Sequence, residues 1–316
     1  MTDQTKQVFV TGGAGVIGRQ LIKDITAAGH RVFVGDLKER PKEFGVKVEY
    51  FQGDLNYFDS SIFRDLQVNI LIHLAASFER SVESPGFFSE NFRNNIQLSN
   101  YVMHLAEESR TLERVVFASS YLVYDSNQYF LELDPTAPVK LGKNSRLNPR
   151  NLIGAAKLLH EKELQHLANL VTTKYSIVIP RIYRGYGIGS RDIISRWIRS
   201  AIRGEELIAY DINGMFDYVF CKDASSGIYK LAFDSQVKGV IDLGTGTSRH
   251  VSDILAIIVN RFPNTKIRYT QSNSKVEASV ADVGDLLAAI NWLPKYDLES
   301  GINEIIDYEL QQEVES

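Results

Sequence analysis

Short apolar runs alternate with longer stretches of helical periodicity through the first half of the chain. The apolar runs predict strands at Val8–Thr11, Arg31–Gly35, Val46–Phe51, Ile70–Leu74 and Arg114–Ala118. Three of them have continuous apolar centres (Val8-Phe9-Val10, Val32-Phe33-Val34 and Val115-Val116-Phe117) rather than alternating ones, as strands buried on both faces do. Helical patterns fill the intervals at Val16–Ala28, Ser60–Asp65 and about Pro85 to Glu108. Strand–helix alternation with short links predicts an α/β chain on a Rossmann-type doubly wound parallel sheet.

Beyond Ser120 the order is less regular. A polar, proline-bearing loop at Asp125–Pro149 precedes a strong helical pattern at Arg150–Asn169, then a strand at Tyr175–Pro180 and a glycine-rich turn at Arg184–Gly189. A basic helix from about Asp192 to Arg203 follows, then a strand-like stretch Phe216–Cys221, a helix Ala224–Phe233 and a strand Val240–Leu243. From about Val251 the pattern is mainly helical. This order divides the chain into a Rossmann domain over 1–178 and a small C-terminal lobe over 179–316, with about 216–250 partly returning to the first domain.

Composition narrows the possible functions. Of 316 residues, 44% are hydrophobic and 23% charged, close to globular averages and against extensive disorder. A net charge of −4 argues against nucleic acid as the main partner, because phosphate affinity comes from clustered Lys and Arg. The single cysteine, Cys221, cannot form an internal disulfide, and no Cys/His cluster has zinc spacing, so no metal is expected. The start, Met1 to Gln7, is polar, and no apolar run reaches the roughly 20 residues that span a bilayer. A cytoplasmic protein without membrane association is expected.

The strongest local signal is the strand–turn–helix from Val8 to Gly18, with Gly12, Gly15 and Gly18 at TGxxGxxG spacing. Such a turn lets backbone N–H groups approach a pyrophosphate at a helix N-terminus, although a tight connection alone could use the same glycines. The second strand ends Val34-Gly35-Asp36, placing a carboxylate 18 residues past Gly18, where a ribose 2′-OH acceptor belongs. Asp36 disfavours a 2′-phosphate and so favours NAD, while Lys38 and Arg40 leave NADP open.

Further segments extend the pattern: Gly53-Asp54-Leu55, His73-Leu74-Ala75-Ala76, Ser81-Val82-Glu83-Ser84-Pro85 with Asn91, Ser119-Ser120-Tyr121-Leu122-Val123-Tyr124, Pro180-Arg181, and Asp217-Tyr218-Val219 with Asp223. In this order they resemble the extended short-chain dehydrogenase/reductases, specifically the NAD-dependent nucleotide-sugar epimerase/dehydratase group, over about residues 7–310. The resemblance implies NAD lying over the C-terminal ends of the strands. It places Asp54 and Leu55 by the adenine and Ala75 and Ala76 along the cofactor. Val16, Ile17, Leu74, Asn91, Ser119, Lys157 and Pro180 complete the implied contacts.

The resemblance breaks at the catalytic residues. Family enzymes combine a Ser or Thr with a YxxxK pair on one helical face, the lysine lowering the phenol pKa so that it exchanges a sugar proton. Ser120 and Lys157 align with the hydroxyl residue and the lysine, but Ile153 stands in the tyrosine position. Isoleucine cannot exchange a proton. Three readings stay open: another group such as Tyr121 replaces it, substrate or water supplies the path, or the chain binds NAD without turnover. Tyr121 could equally be a packing aromatic, Tyr124 a core tyrosine, and His160 is expected on the surface. Related 4,6-dehydratases carry Asp and Glu where Tyr121 and Leu122 stand, so plain 4,6-dehydration is not expected.

The substrate lobe also departs from the family. Arg184 occupies the position of an asparagine that anchors the sugar nucleotide, and Phe216 that of a diphosphate arginine; Ser274 to Ser279 supplies no second arginine. Arg184 and Arg191 are the candidate replacement cations for a phosphate or carboxylate, with Arg196, Arg199 and Arg203 read as a solvated helix face. The resulting expectation is an isomerase- or lyase-type enzyme acting on a nucleotide-activated or other anionic sugar by transient hydride transfer. The competing expectation is a catalytically silent NAD-binding scaffold or sensor. By analogy the chain pairs as a homodimer through about 85–108 and 150–169, with Leu98, Leu105, Leu159 and Leu164 as interface or core positions.

Overall fold

The computed structural model describes residues 5–78, 85–234, 236–270 and 275–315; Ser81 to Ser84 and Ser274 lie outside the described residues. The central sheet runs in the order Gly239–Leu243, Ser176–Ile182, Arg114–Phe117, Ile70–His73, Gln7–Thr11, Arg31–Asp36, Val48–Gln52, and every neighbouring pair is parallel. Alternate residues of each strand feed opposite apolar layers. Val8, Val10, Val32, Val34, Ile70 and Ile72 pack on one face, with Leu21, Ile22 and Ile25 of the helix Val16–Ala27. Phe9, Phe33, Leu71, Val115 and Phe117 pack on the other, with Leu98, Val102 and Leu105 of the helix Leu98–Glu107. Two covered faces are the reason these runs lack alternation.

A second core joins the helices Ile193–Ile202, Val251–Arg261 and Leu298–Glu315 through Trp197, Ile198, Ile254, Ile258, Ile302 and Ile305. On the basic helix Arg196 and Arg203 are exposed as expected, while Arg199 is partly buried and meets Glu309 at 2.7 Å; Arg203 meets Glu313 at 3.5 Å. Trp197 and Trp292 are buried packing residues.

Several expectations need correction. The stretch Asp125–Pro149 is not a plain loop. Its Phe130–Glu132 pairs antiparallel with Lys275–Glu277, and its Val139–Leu141 pairs parallel with Ser279–Ala281. Strands of three residues whose partners lie more than a hundred positions away leave no local periodicity to read. The expected strand Phe216–Cys221 is split at Asp217, because that carboxylate accepts from the backbone N–H groups of Thr245 (2.8 Å), Gly246 (2.9 Å) and Ala281 (3.1 Å). The expected helix over 85–108 contains a π-helical segment, Phe92–Gln97, between Phe87–Asn91 and Leu98–Glu107. Of the proposed interface leucines, Leu98, Leu105 and Leu164 lie in the protein's own core, whereas Leu159 is exposed.

A buried polar network ties the helix Leu152–Ala168 to the sheet. Arg181 donates to both oxygens of Glu161, at 2.9 and 2.6 Å, and Ser119 donates to the same carboxylate at 2.5 Å. Arg181 also donates to the Tyr124 hydroxyl at 3.0 Å, which in turn donates to Asp242 at 2.7 Å. Burial pushes the Asp242 carboxyl up to about 7, against the hydrogen bond from Tyr124 and the nearby Arg181.

Glu161→Ala leaves the Arg181 guanidinium buried without its counter-charge, and a loss of about 3–5 kcal/mol is expected in denaturant unfolding. Asp242 sets a pH dependence of stability. Its folded pKa lies above the ~3.9 of an unfolded aspartate, so the folded state keeps a proton that the unfolded state has lost between about pH 4 and 7. Its contribution is therefore full in acid and falls as the pH rises through that window. Asp242→Asn is expected to remove that fall, as measured by unfolding at stepped pH.

Candidate active site

The first strand ends at Thr11, and the helix begins at Val16 with Gly15 at its N-cap. Gly12 has φ +70°, and a Cβ there would lie 2.7 Å from the backbone of Ala75. The turn and the Leu74–Ala75 chain therefore pass in contact, a position only glycine fills. Thr11 secures the same approach: its hydroxyl accepts from the Ala75 N–H at 3.2 Å and meets His73 Nδ1 at 2.7 Å. A Cβ at Gly18 would lie 2.7 Å from the Gly12 carbonyl oxygen, which fixes the helix against the turn. Asp36 closes the rim, accepting from the backbone N–H groups of Ala14 and Lys38 at 2.9 Å each. Val16 and Ile17 start the helix and touch the C-terminal lobe's apolar core.

The other residues implied at the cofactor occupy two tiers. Leu55 is buried beneath Gly35. Asp54 accepts from the Asn56 N–H at 3.0 Å and pairs with Arg93; these bonds hold its carboxyl below the usual range although partial burial opposes them. Ala75 and Ala76 are half-buried at the end of the fourth strand. Asn91 lies deeper, its amide oxygen taken by Asn95 at 2.7 Å, and Asn95 bonds both the N–H and the carbonyl of Ser77. Ser119 spends its hydroxyl on Glu161, and Pro180 is a buried sheet residue opposite Ile241.

The first turn of the helix Leu152–Ala168 is clamped onto the turn that follows Ser120. The Arg150 N–H donates to the Leu122 carbonyl at 3.2 Å, and a Cβ at Gly154 would collide with that oxygen. Asn151 caps the helix, accepting from the Gly154 N–H at 2.8 Å. Ser120 caps the short 3₁₀ turn Tyr121–Val123, its oxygen accepting from the Leu122 N–H at 3.3 Å. Ile153 is buried. Lys157, one turn on, has its ammonium 4.9 Å from the Phe117 ring centre, and burial lowers it to about 8 against the pull of Glu161.

His160 is a correction: it is buried, with Nδ1 2.8 Å from Glu163 and Nε2 3.2 Å from the Asn95 carbonyl. The π-helical segment covers that flank of the helix, which spacing from positions 153 and 157 does not reveal. Burial, with a further push from Lys157, lowers both His73 and His160, the latter against the pull of Glu163.

A second group of chemical side chains gathers around Tyr121. Its ring stacks on Tyr183 at 5.2 Å, and the Arg150 guanidinium lies 5.6 Å from its centre. Glu277 is buried, accepting from Arg150 at 2.6 Å and from the Ser279 hydroxyl at 3.0 Å. Burial, then the charge of Glu277, pushes the Tyr121 phenol up, with Arg150 and Arg184 opposing. Arg184 is half-buried with its guanidinium 4.1 Å over the Phe216 ring. Arg150 and Glu277 lack any local sequence signal; 127 positions separate them.

Arg191 is not in this group. It is exposed and lines a separate open cavity of about 490 Å³ with Gly189, Ser190, Arg196 and Arg199. Cys221 is buried and its thiol is pushed up to about 11 by burial, so it is no nucleophile at neutral pH. Among the described residues no cluster of His, Cys, Asp and Glu could hold a metal ion, and no helix is long and apolar enough to cross a membrane.

Residues 8–244 match the profile of the NAD dependent epimerase/dehydratase family. The dTDP-L-rhamnose 4-epimerase of Burkholderia thailandensis is 24% identical, over 95% of this chain and 94% of that one. Among solved structures, MoeE5 in complex with UDP-glucose and NAD superposes with a TM-score of 0.83 at 24% identity, covering 97% of this chain and 99% of that one. TunA, an NAD dependent NDP-hexosamine 5,6-dehydratase, does so at 0.81 and 22% identity, covering 96% and 97%.

Proposed function

The chain belongs to the NAD dependent epimerase/dehydratase family, and on that footing we propose an enzyme of isomerase or lyase type acting on a nucleotide-activated anionic sugar. The observation that carries the substrate reading is Arg184. Its guanidinium is half-buried, stacked over Phe216 and placed beside Tyr121, where it can meet a phosphate or carboxylate in bidentate fashion. Phe216 stands where the resemblance expects a cation, and Arg184, on a strand paired with Tyr218–Phe220, stacks its guanidinium on that ring. The named relatives support the class, since dTDP-L-rhamnose, UDP-glucose and an NDP-hexosamine are all nucleotide sugars.

The residues at the turn fit NAD. Gly12 and Gly18 let the turn pack closely against Ala75 and against the start of the helix, which brings the turn to the helix N-terminus where a pyrophosphate would lie, and Asp36 stands at the rim to accept from a ribose hydroxyl. Lys157 is assigned to the nicotinamide ribose. When bound, NAD supplies an oxidant that takes a hydride from a sugar carbon and can give it back, which suits redox-neutral chemistry. Ser120 hydrogen-bonds the reacting hydroxyl, and Tyr121 exchanges its proton in place of the residue lost at Ile153.

A second reading, a silent NAD-binding scaffold, draws on Ile153, which fills the tyrosine position with a buried apolar side chain. In either reading the protein is a cytoplasmic homodimer. Exposed Phe88, Phe92 and Leu159, on the helical segments Phe87–Asn91, Phe92–Gln97 and Leu152–Ala168, offer the apolar surface for pairing.

Native mass spectrometry of the purified protein, with release of any bound small molecule, is expected to find NAD or NADH. Protein that is free of dinucleotide and also refuses added NAD would sink the cofactor assignment. Ser120→Ala is expected to slow turnover about 10²–10³-fold with NAD retained, the scale of removing one positioned donor. Absence of turnover in the native protein with every nucleotide sugar offered favours the scaffold. Arg184→Ala is expected to raise KM about 10–100-fold, as the loss of hydrogen bonds to a charged group does, with NAD affinity unchanged.

A further inference from the structure

Arg191 and Arg196 take no part in the site around Tyr121, and among the described residues neither forms an ion pair. They line the open cavity of about 490 Å³ together with Gly189, Ser190 and Arg199. Arg196 and Arg199 are three positions apart and share one face of the helix Ile193–Ile202. That face is not the one turned to the lobe's core, where the buried Trp197 donates to the Ile208 carbonyl at 3.1 Å. It is turned to the helix Leu298–Glu315, which Arg199 and Arg203 reach through Glu309 and Glu313.

The loop that carries Arg191 is already fixed. Gly189, at φ +73°, reverses the chain, and the Ser190 N–H donates to the Gly187 carbonyl at 3.1 Å. The Ser190 hydroxyl oxygen accepts from the Asp192 N–H at 3.2 Å. Arg199 donates to the Ser190 carbonyl at 3.1 Å and to Glu309 at 2.7 Å, so it ties the loop to two helices and its charge is spent. The acids on this side are committed as well. Glu309 and Glu313 hold Arg199 and Arg203, and Asp192 caps the helix, accepting from the Ser195 N–H at 3.0 Å. Two unpaired guanidinium groups therefore border a cavity whose loop needs no ordering to receive a ligand.

We infer that this cavity is a second anion site, separate from the one at Arg184, for a small polar ligand that carries a phosphoryl group. Two forked cations match the double charge and several oxygens of a phosphoryl group better than they match one carboxylate. The Ser190 hydroxyl accepts from Asp192 and keeps its own proton to donate. Among the described residues that line the cavity none is aromatic or aliphatic, which leaves no platform for a nucleobase or an acyl chain. The volume is that of a small-molecule site, so the ligand is of sugar-phosphate or pyrophosphate size.

Isothermal titration calorimetry tests this with inorganic pyrophosphate and with glucose 1-phosphate, on protein saturated with NAD and UDP-glucose. One remaining site per chain is expected, and the tighter of the two probes shows whether a free or a sugar-borne phosphoryl group is preferred. R191A and R196A are each expected to weaken it about 10–100-fold, the scale of hydrogen bonds to a charged group. Both residues are exposed, so the unfolding midpoint should not move. R191K, which keeps the charge without the fork, should fall between R191A and the wild type. R184A should bind like the wild type, and none of this depends on whether the chain turns over a sugar. Loss of the binding in R184A assigns the anion to the site already described and overturns the second site. No saturable binding of either probe, or undiminished binding when Arg191 and Arg196 are both alanine, overturns it too. A polyglutamate peptide that binds more tightly than either probe overturns the small-ligand reading.

Discussion

The ion pair between Arg181 and Glu161 is the constraint on which the geometry of the site depends. Arg181 lies on a central strand, Glu161 on the helix that carries Lys157, and the pair is almost wholly out of water. Two buried ions are a net gain only when their remaining hydrogen-bonding capacity is filled. Here the guanidinium grips both carboxylate oxygens, Ser119 adds a donor to the carboxylate, and Tyr124 takes the remaining guanidinium nitrogen. Ser119 immediately precedes Ser120, and Tyr124 closes the turn that begins at Tyr121. One interaction thus sets the helix, the strand and the turn relative to each other. The collision that any side chain at Gly154 would make with the Leu122 carbonyl then fixes the helix start to within one atom's width.

That frame explains how the chain accommodates Ile153. The helix is positioned by Glu161 and by Gly154, so a catalytic tyrosine contributes nothing that the fold needs. An apolar side chain at 153 is buried at no cost in polar satisfaction. The same substitution separates two electrostatic environments that a YxxxK pair would join. Lys157 sits over Phe117 and presses on His73 and His160, whereas Tyr121 lies among Arg150, Arg184 and Glu277. The field at Tyr121 therefore comes from Arg150, Arg184 and Glu277 rather than from the helix lysine.

What could be read from the sequence follows from how local each signal is. The glycine turn and Asp36 lie within one strand–helix–strand unit, so spacing alone places them, whereas the turn's contact with Ala75 joins residues more than sixty positions apart and has no local signal. The parallel strands were legible because both of their faces are covered, which leaves continuous apolar runs. The surroundings of Tyr121 were not legible. Arg150 read as the first residue of a helix and Glu277 fell in a stretch read as mainly helical; only the pairing of Phe130–Glu132 with Lys275–Glu277 brings that strand to the site. His160 was misplaced for the same reason, since the π-helical segment that buries it comes from sixty residues earlier and has no distinctive composition. Phe216 read as a lost cation until Arg184 was found stacked on it.

The charges around Tyr121 carry the argument one step further. Arg150 and Glu277 neutralise each other, which leaves Arg184 as the surplus charge of a largely desolvated group. Among the described residues no carboxylate forms an ion pair with it. A half-buried guanidinium stacked on an aromatic ring is tolerable, but it is better satisfied with an anion across its open edge. The surplus also bears on Tyr121, because without Glu277 two cations would face the phenol and draw it toward the phenolate. Burial, then the charge of Glu277, keeps the Tyr121 phenol above its ordinary range, with Arg150 and Arg184 opposing. The electrostatic setting of Tyr121 thus rests on one set of three charges, and a change to any of Arg150, Arg184 or Glu277 alters it.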